Sequence, residues 1–262
     1  MKRSLCFFLF LASATAQAQL TTERAGTSQF LIAAAGAVIG ANGTFFRSDI
    51  TIINYRTDAD QRIRFQWLPQ GTSGTAVPAV ELTLMKATGF SSEDFVTNVL
   101  MQSGLGSILV TALTADGQFD VAGKVHATAR IWSNQPGLSS GTVSQTFPII
   151  AINDINTPRL SILGQRRDDR YRTNVGIVNL DPQPQTFQVT VVADGLTEFV
   201  SVPVPGLSMQ QVSLIGPPRN NLQLAVTNTT AGAQSLRWIA YGSSVDNVTG
   251  DSWSSLGYVV NQ

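Results

Sequence analysis

The sequence is short of the groups that most chemistry needs. It has one cysteine, Cys6, and one histidine, His126. Cys6 lies at the head of an N-terminal apolar run, not after it, so it is not placed to become a lipidated first residue. Once that segment is removed, disulfides, thiolate metal sites and cysteine nucleophiles are all excluded. No apolar run is long enough to span a bilayer, since Leu5 to Ala12 falls well short of the roughly 20 residues required. No stripe of basic residues is present either. The chain has 17 basic and 17 acidic residues; without Lys2 and Arg3 the count is 15 against 17, near −2. That is no footprint for nucleic acid or for an anionic membrane.

What is present begins with an export signal. Lys2 and Arg3 form a charged head, an apolar run follows, and Ala16-Gln17-Ala18 fits a signal-peptidase site, with Ala14-Thr15-Ala16 as an alternative. Residues 1–18 are therefore expected to be a signal peptide, and the protein is expected to be periplasmic, on the cell surface or extracellular. The competing reading is a short membrane anchor.

The rest of the chain is organised around one stretch that occurs twice. Phe46-Arg47-Ser48-Asp49-Ile50-Thr51-Ile52-Ile53-Asn54 is echoed by Tyr171-Arg172-Thr173-Asn174-Val175-Gly176-Ile177-Val178-Asn179. The pairs are aromatic, Arg, hydroxyl, Asp/Asn, β-branched, unmatched, Ile, β-branched and Asn. Only Thr51 against Gly176 breaks the correspondence. Such a match marks a tandem duplication.

Around each copy the chain reads as short alternating strands. Ile63, Phe65 and Trp67 alternate with Arg62, Arg64 and Gln66, and Val125, Ala127, Ala129 and Ile131 alternate with Lys124, His126, Thr128 and Arg130. In the second half, Phe187, Val189 and Val191 match the Ile63 strand. Leu222, Leu224 and Val226 match a strand near Ile108, and Leu236, Trp238 and Ala240 match the Ala129 strand. Phe30 to Ile39 reads as a strand leading into a hairpin at Gly40-Ala41-Asn42-Gly43, although its small residues also suit a helix. One helix is expected after Ser91-Ser92-Glu93-Asp94, with Ser91 as the cap. The expected fold is all-β: two tandem immunoglobulin-like β-sandwich modules with one short helix in the first. Module 1 covers residues 29–153 and module 2 residues 158–262, joined by the short linker Asn153 to Pro158.

The Gly40-Ala41-Asn42-Gly43-Thr44 lead-in, the two Arg-containing motifs and Asp246-Asn247-Val248-Thr249-Gly250-Asp251 resemble a largely uncharacterised group of secreted bacterial proteins with paired β-sandwich modules. The resemblance covers nearly all of the exported chain. It implies a surface-exposed or secreted, non-catalytic β-protein and brings no catalytic residues with it. The group commonly has Asn-Pro after the first repeat strand, whereas Asn54 and Asn179 here precede Tyr55 and Leu180.

Candidate sites are few. Ser-His-Asp catalysis would have to use His126, which alternation places on a wet strand face. Glu93 and Asp94 are adjacent and cannot face each other as a glycosidase pair must. Asp246, Asn247 and Asp251, with Thr249, could hold calcium; the competing reading is a turn in which Asp and Asn bond to their own backbone. Arg47 and Arg172 recur at one position, either as paired sites for an anionic or sugar ligand or as structural residues that bond to a facing loop's carbonyls or to an acid across the sandwich edge; Asn54 and Asn179 are read as structural residues of the same repeat. Trp132 and Trp253 are the credible platforms for stacking on a sugar ring, whereas Trp67 and Trp238 read as core. No cofactor is expected unless calcium binds. The expectation is a structural or interaction protein whose partner is an envelope or extracellular protein or a glycan. A carbohydrate-binding module is the alternative.

Overall fold

The computed structural model describes residues 26–40, 43–232 and 234–259. The expected signal peptide, with Cys6, lies outside the described residues. The first half carries ten elements in chain order: β1 (Gln29–Ile39), β2 (Phe45–Asn54), β3 (Gln61–Pro69), β4 (Val80–Leu84), β5 (Gly89–Ser92), α1 (Phe95–Asn98), β6 (Gly104–Leu113), β7 (Val125–Asn134), β8 (Thr142–Phe147) and β9 (Ile149–Ala151). A short 3-10 turn at Ile152–Asp154 leads to the second half: β10 (Arg159–Arg167), β11 (Tyr171–Asn179), β12 (Gln185–Ala193), β13 (Leu196–Val204), β14 (Ser208–Ser213), β15 (Arg219–Asn228), β16 (Trp238–Asp246), β17 (Ser252–Leu256) and β18 (Tyr258–Val259).

The protein is all-β, built from three antiparallel sheets. The first sheet folds at the β1–β2 hairpin, where Val38 and Ile39 pair with Phe46 and Phe45, into two leaves: β4-β3-β6-β1-β9 and β5-β2-β7-β8. The other two sheets have orders β13-β12-β15-β10-β18 and β14-β11-β16-β17. These orders coincide strand for strand with the two leaves. The correspondence seen in the motif thus extends to the order of all nine strands.

Each half encloses its own core. In the first, Ile50 and Ile52 of the motif meet Phe30, Ile32, Ile63, Phe65, Trp67 and Val110. In the second, Val175 and Ile177 meet Leu160, Ile162, Phe187, Val189, Leu224 and Trp238. The period-2 pattern of β3 and β12 is the direct cause, since alternate side chains enter the core and the others face water. Leu236 lies just outside β16 and is exposed.

A third core joins the halves. Leu31, Ala33 and Leu68 of the first sheet pack on Val178, Met209, Ile239 and Tyr241 of the last. Strand β1 is consequently buried on both faces, which explains its unbroken apolar run. A bulge between Ile32 and Ala35 shifts its register, so Ala33 and Ala34 face the joint while Ala35 and Ala37 return to the first core. The linker belongs to this joint: Ile155 is buried in it, and the Thr157 amide donates to Leu236 O.

One detail differs from the sequence expectation. The helix is capped by Asp94, whose carboxylate accepts from the Thr97 amide, and not by Ser91. Ser91 lies in β5, where it pairs with Thr51 across the sheet. Edge pairing with β2 outweighs a local capping signal on a helix only four residues long.

Candidate functional site

The motif is best understood bond by bond. Its third residue closes the bulge of the first strand. Ser48 Oγ accepts from the Gly36 amide (2.6 Å) and donates to Gly36 O (3.1 Å). In the second copy β10 has a bulge after Ile162, and Thr173 Oγ1 donates to Arg166 O, the equivalent residue. The last residue clamps a turn. Asn54 Nδ2 donates to Ala59 O, Leu84 O and Met85 O, while its Oδ1 accepts from the Arg56 amide. Asn179 repeats this with Gln183 O, Val204 O, Pro205 O and the Asp181 amide. Both Asn side chains are wholly buried. Each forms an Asx-turn that bridges to the edge hairpin, so no proline is needed after it.

The second residue behaves differently in the two copies. Arg47 lies between aromatic rings, 4.9 Å from the Phe45 centroid and 5.3 Å from that of Trp132. Trp132 is its cross-strand partner; the partner of Arg172 is Val245. Without an aromatic lid, Arg172 reaches Asn247 Oδ1 at 2.9 Å and lines a cleft of about 330 Å³ between the two halves. Among the described residues it makes no ion pair, and burial lowers its pKa.

The loop after β16 brings Asp246, Asn247 and Asp251 together as a turn. Asp246 Oδ1 accepts from the Val248 and Thr249 amides (2.8 and 3.1 Å), and its Oδ2 accepts from Arg170 Nε (2.9 Å). Asn247 is held by Arg172, and Gly250 takes φ +77°. Asp251 accepts from the next amide, that of Ser252, through its side chain, and from the Asp246 amide through its carbonyl. A cation at Asp246 would have to displace Arg170. The Thr249 amide, Arg170 and the Val248 amide hold the Asp246 carboxyl down at about 2, below the ~3.9 of an unfolded aspartate. Its contribution is therefore fully present above the unfolded value and is lost as the pH falls towards about 2. The expected result is that D246N melts below wild type near neutral pH, and that the gap closes on acidification through this window.

Trp132 and Trp253 are both tied by their indole N–H groups, to Glu93 O and Gly164 O, each at 3.1 Å. Trp132 is half-buried beneath Arg47, with Arg130 also stacked on it at 6.0 Å. Trp253 stands edge-on to Tyr171, which in turn carries Arg166 and Arg170 over its ring. The two tryptophans sit on different sheets and do not form one platform. His126 lies beside Tyr55, and its Nδ1 is buried without a partner. Gly137-Leu138-Ser139-Ser140-Gly141 has the Gly-x-Ser-x-Gly spelling of a nucleophile elbow, but it forms the exposed β7–β8 turn and not a strand-to-helix elbow. Among the described residues no three His, Cys, Asp or Glu side chains gather as metal ligands.

No protein-family model and no curated protein matches the chain. Among solved structures, the crystal structure of Thermotoga maritima 1070 overlaps 40% of this chain and 96% of that one, at 11% identity and a TM-score of 0.34. An overlap of that size carries no argument about fold or function.

Asn174, Gln145 and Gln211 also line the cleft, with Gln70, Ser144, Ser243 and Ser252, and of these only Asn174 belongs to the repeated motif. For Asn174 the sequence carried a signal. Asp49 in the first copy becomes Asn174 in the second, next to the Thr51/Gly176 mismatch. Both changes fall on the sheet face that is open in one half and covered in the other.

Proposed function

We propose that the protein is a secreted, non-catalytic structural or interaction protein of the bacterial envelope or extracellular space. The observation that supports it is the fate of the repeated motif. Its hydroxyl, its Asn and its alternating aliphatics are all engaged in holding strands, bulges and turns together. The module is read as a sandwich of immunoglobulin-like layering with an exchange of end strands and with the fourth strand on the third instead of the fifth. The second and fifth strands pair and the third and sixth pair, as in that fold, but the first strand takes the place of the seventh, and the seventh that of the first. Export rests on residues 1–18, and the partner on this reading is an envelope protein or glycan. Calcium is not needed to order the Asp246 loop, because Arg170 supplies the positive charge there.

The carbohydrate-binding alternative is favoured by one observation: Trp253 is 38% exposed beside Tyr171. Co-sedimentation of the exported chain, with and without calcium, tests both readings. Pelleting with isolated envelopes but not with insoluble polysaccharide is expected. Pelleting with polysaccharide, reversed by free sugar and abolished by W253A, would replace the first reading with the second. Remaining in the supernatant with both would remove support for an envelope partner.

A further inference from the structure

We propose that the cleft between the two halves binds a small carboxylate with an apolar body, its head group on Arg172. This goes beyond the envelope reading and does not depend on it.

Among the described residues no acid pairs with the charge inside the cleft. Arg172 has five N–H donors and uses one on the neutral Asn247. No Asp or Glu among the described residues lines the cleft. In the first half the corresponding face is neutralised differently. Arg47 is stacked on Trp132, and Asp49 pairs with Arg130 at 2.9 Å. In the second half the positions of Trp132, Asp49 and Arg130 hold Val245, Asn174 and Ser243. The aromatic lid, the acid and its arginine partner are all absent, while the motif arginine remains.

The surrounding amides present donors. A hydroxyl occupies the side-chain oxygen of three of the four amides that line the cleft, Gln70 being the fourth: Ser213 on Asn174 (2.7 Å), Ser243 on Gln145 (3.0 Å) and Tyr241 on Gln211 (3.1 Å). Burial raises the pKa of Tyr241, which keeps it a neutral phenol able to donate. Among the described residues the Gln145 Nε2 is buried with no partner. A buried donor without an acceptor is destabilising unless something fills its place. A guanidinium with no acid beside it favours an anion, and with amides around it suits the planar, two-oxygen face of a carboxylate. Val38, Phe46, Leu105, Ile131 and Val143 supply the opposite wall, which suits a hydrocarbon body better than a bare ion.

Octanoate, octanamide and acetate separate head from body when titrated calorimetrically into the full exported chain. Octanoate is expected to bind roughly ten-fold or more tightly than either of the others. R172Q is expected to lose that preference and R47Q, at the equivalent position outside the cleft, to keep it. In wild type, the Arg172 Nε–H resonance should move on adding octanoate, a readout that needs no variant to fold. No octanoate binding, equal binding of octanamide, equal loss in R47Q and R172Q, or an unmoved Arg172 resonance would each overturn the proposal.

Discussion

Replacing Gly176 with threonine, the residue its counterpart position carries, is expected to destabilise the protein by about 3 kcal/mol or more. A Cβ at Gly176 would overlap the ring of Tyr241. Tyr241 cannot simply yield, because it is wholly buried at the joint, edge-on to Phe147 at 5.1 Å and bonded through its hydroxyl to Gln211. Either the ring leaves its site or the two halves separate locally. The converse change, Thr51→Gly, should cost about 1 kcal/mol or less, since Thr51 faces outward and its hydroxyl meets only Ser91 Oγ. Chemical denaturation of both variants checks this. Similar losses at the two sites would show that the mismatch in the motif has nothing to do with the joint.

The second large effect is expected at the motif's last residue. Asn179→Ala leaves three carbonyls and one amide without their partner, among them the buried Val204 carbonyl. A buried polar group left unpaired costs roughly 1–3 kcal/mol, and water can reach only some of these four, so a loss of about 3 kcal/mol is expected. Asn54→Ala should lose a similar amount, because its network is the same in kind and number. Asn179→Asp is the sharper probe. It keeps the acceptor for Asp181 but turns an oxygen towards three carbonyls. Its melting temperature should fall below wild type near neutral pH and recover in part as the carboxyl is protonated. A variant that melts like wild type would sink the clamp.

Much of this was legible in the chain. Alternation located the strands of both cores, because side chains on a half-buried strand must alternate. The two Asn residues stood out by recurring at the end of a repeat. What could not be read is what the two halves do to each other. The apolar run of β1 suited several structures, and only contact with Tyr241 and Met209 on its second side explains it. The exchange of first and seventh strands depends on pairings more than fifty residues apart, about which local pattern is silent. The Ser91 capping signal was overridden by a sheet edge. Arg47 and Arg172 looked alike, and their different fates follow from Trp132 and Val245 on the neighbouring strands.

The covered face of the second half also limits how the fold can grow. In a stack of like units, each unit offers one face to the unit before it and another to the unit behind, so nothing in the arrangement itself counts to two. Here the forward face of the front unit differs from the covered face of the rear one. It carries Thr51, Asp49 and the Arg47–Trp132 stack, where the rear unit has Gly176, Asn174 and an uncapped Arg172. A further unit placed in front would press on a side chain where the rear unit has none and would bury the Asp49–Arg130 pair away from water. The two faces thus differ at Thr51 and Asp49 on β2 and at Trp132 on β7, and these three side chains disfavour docking a like unit there as the first half docks on the second.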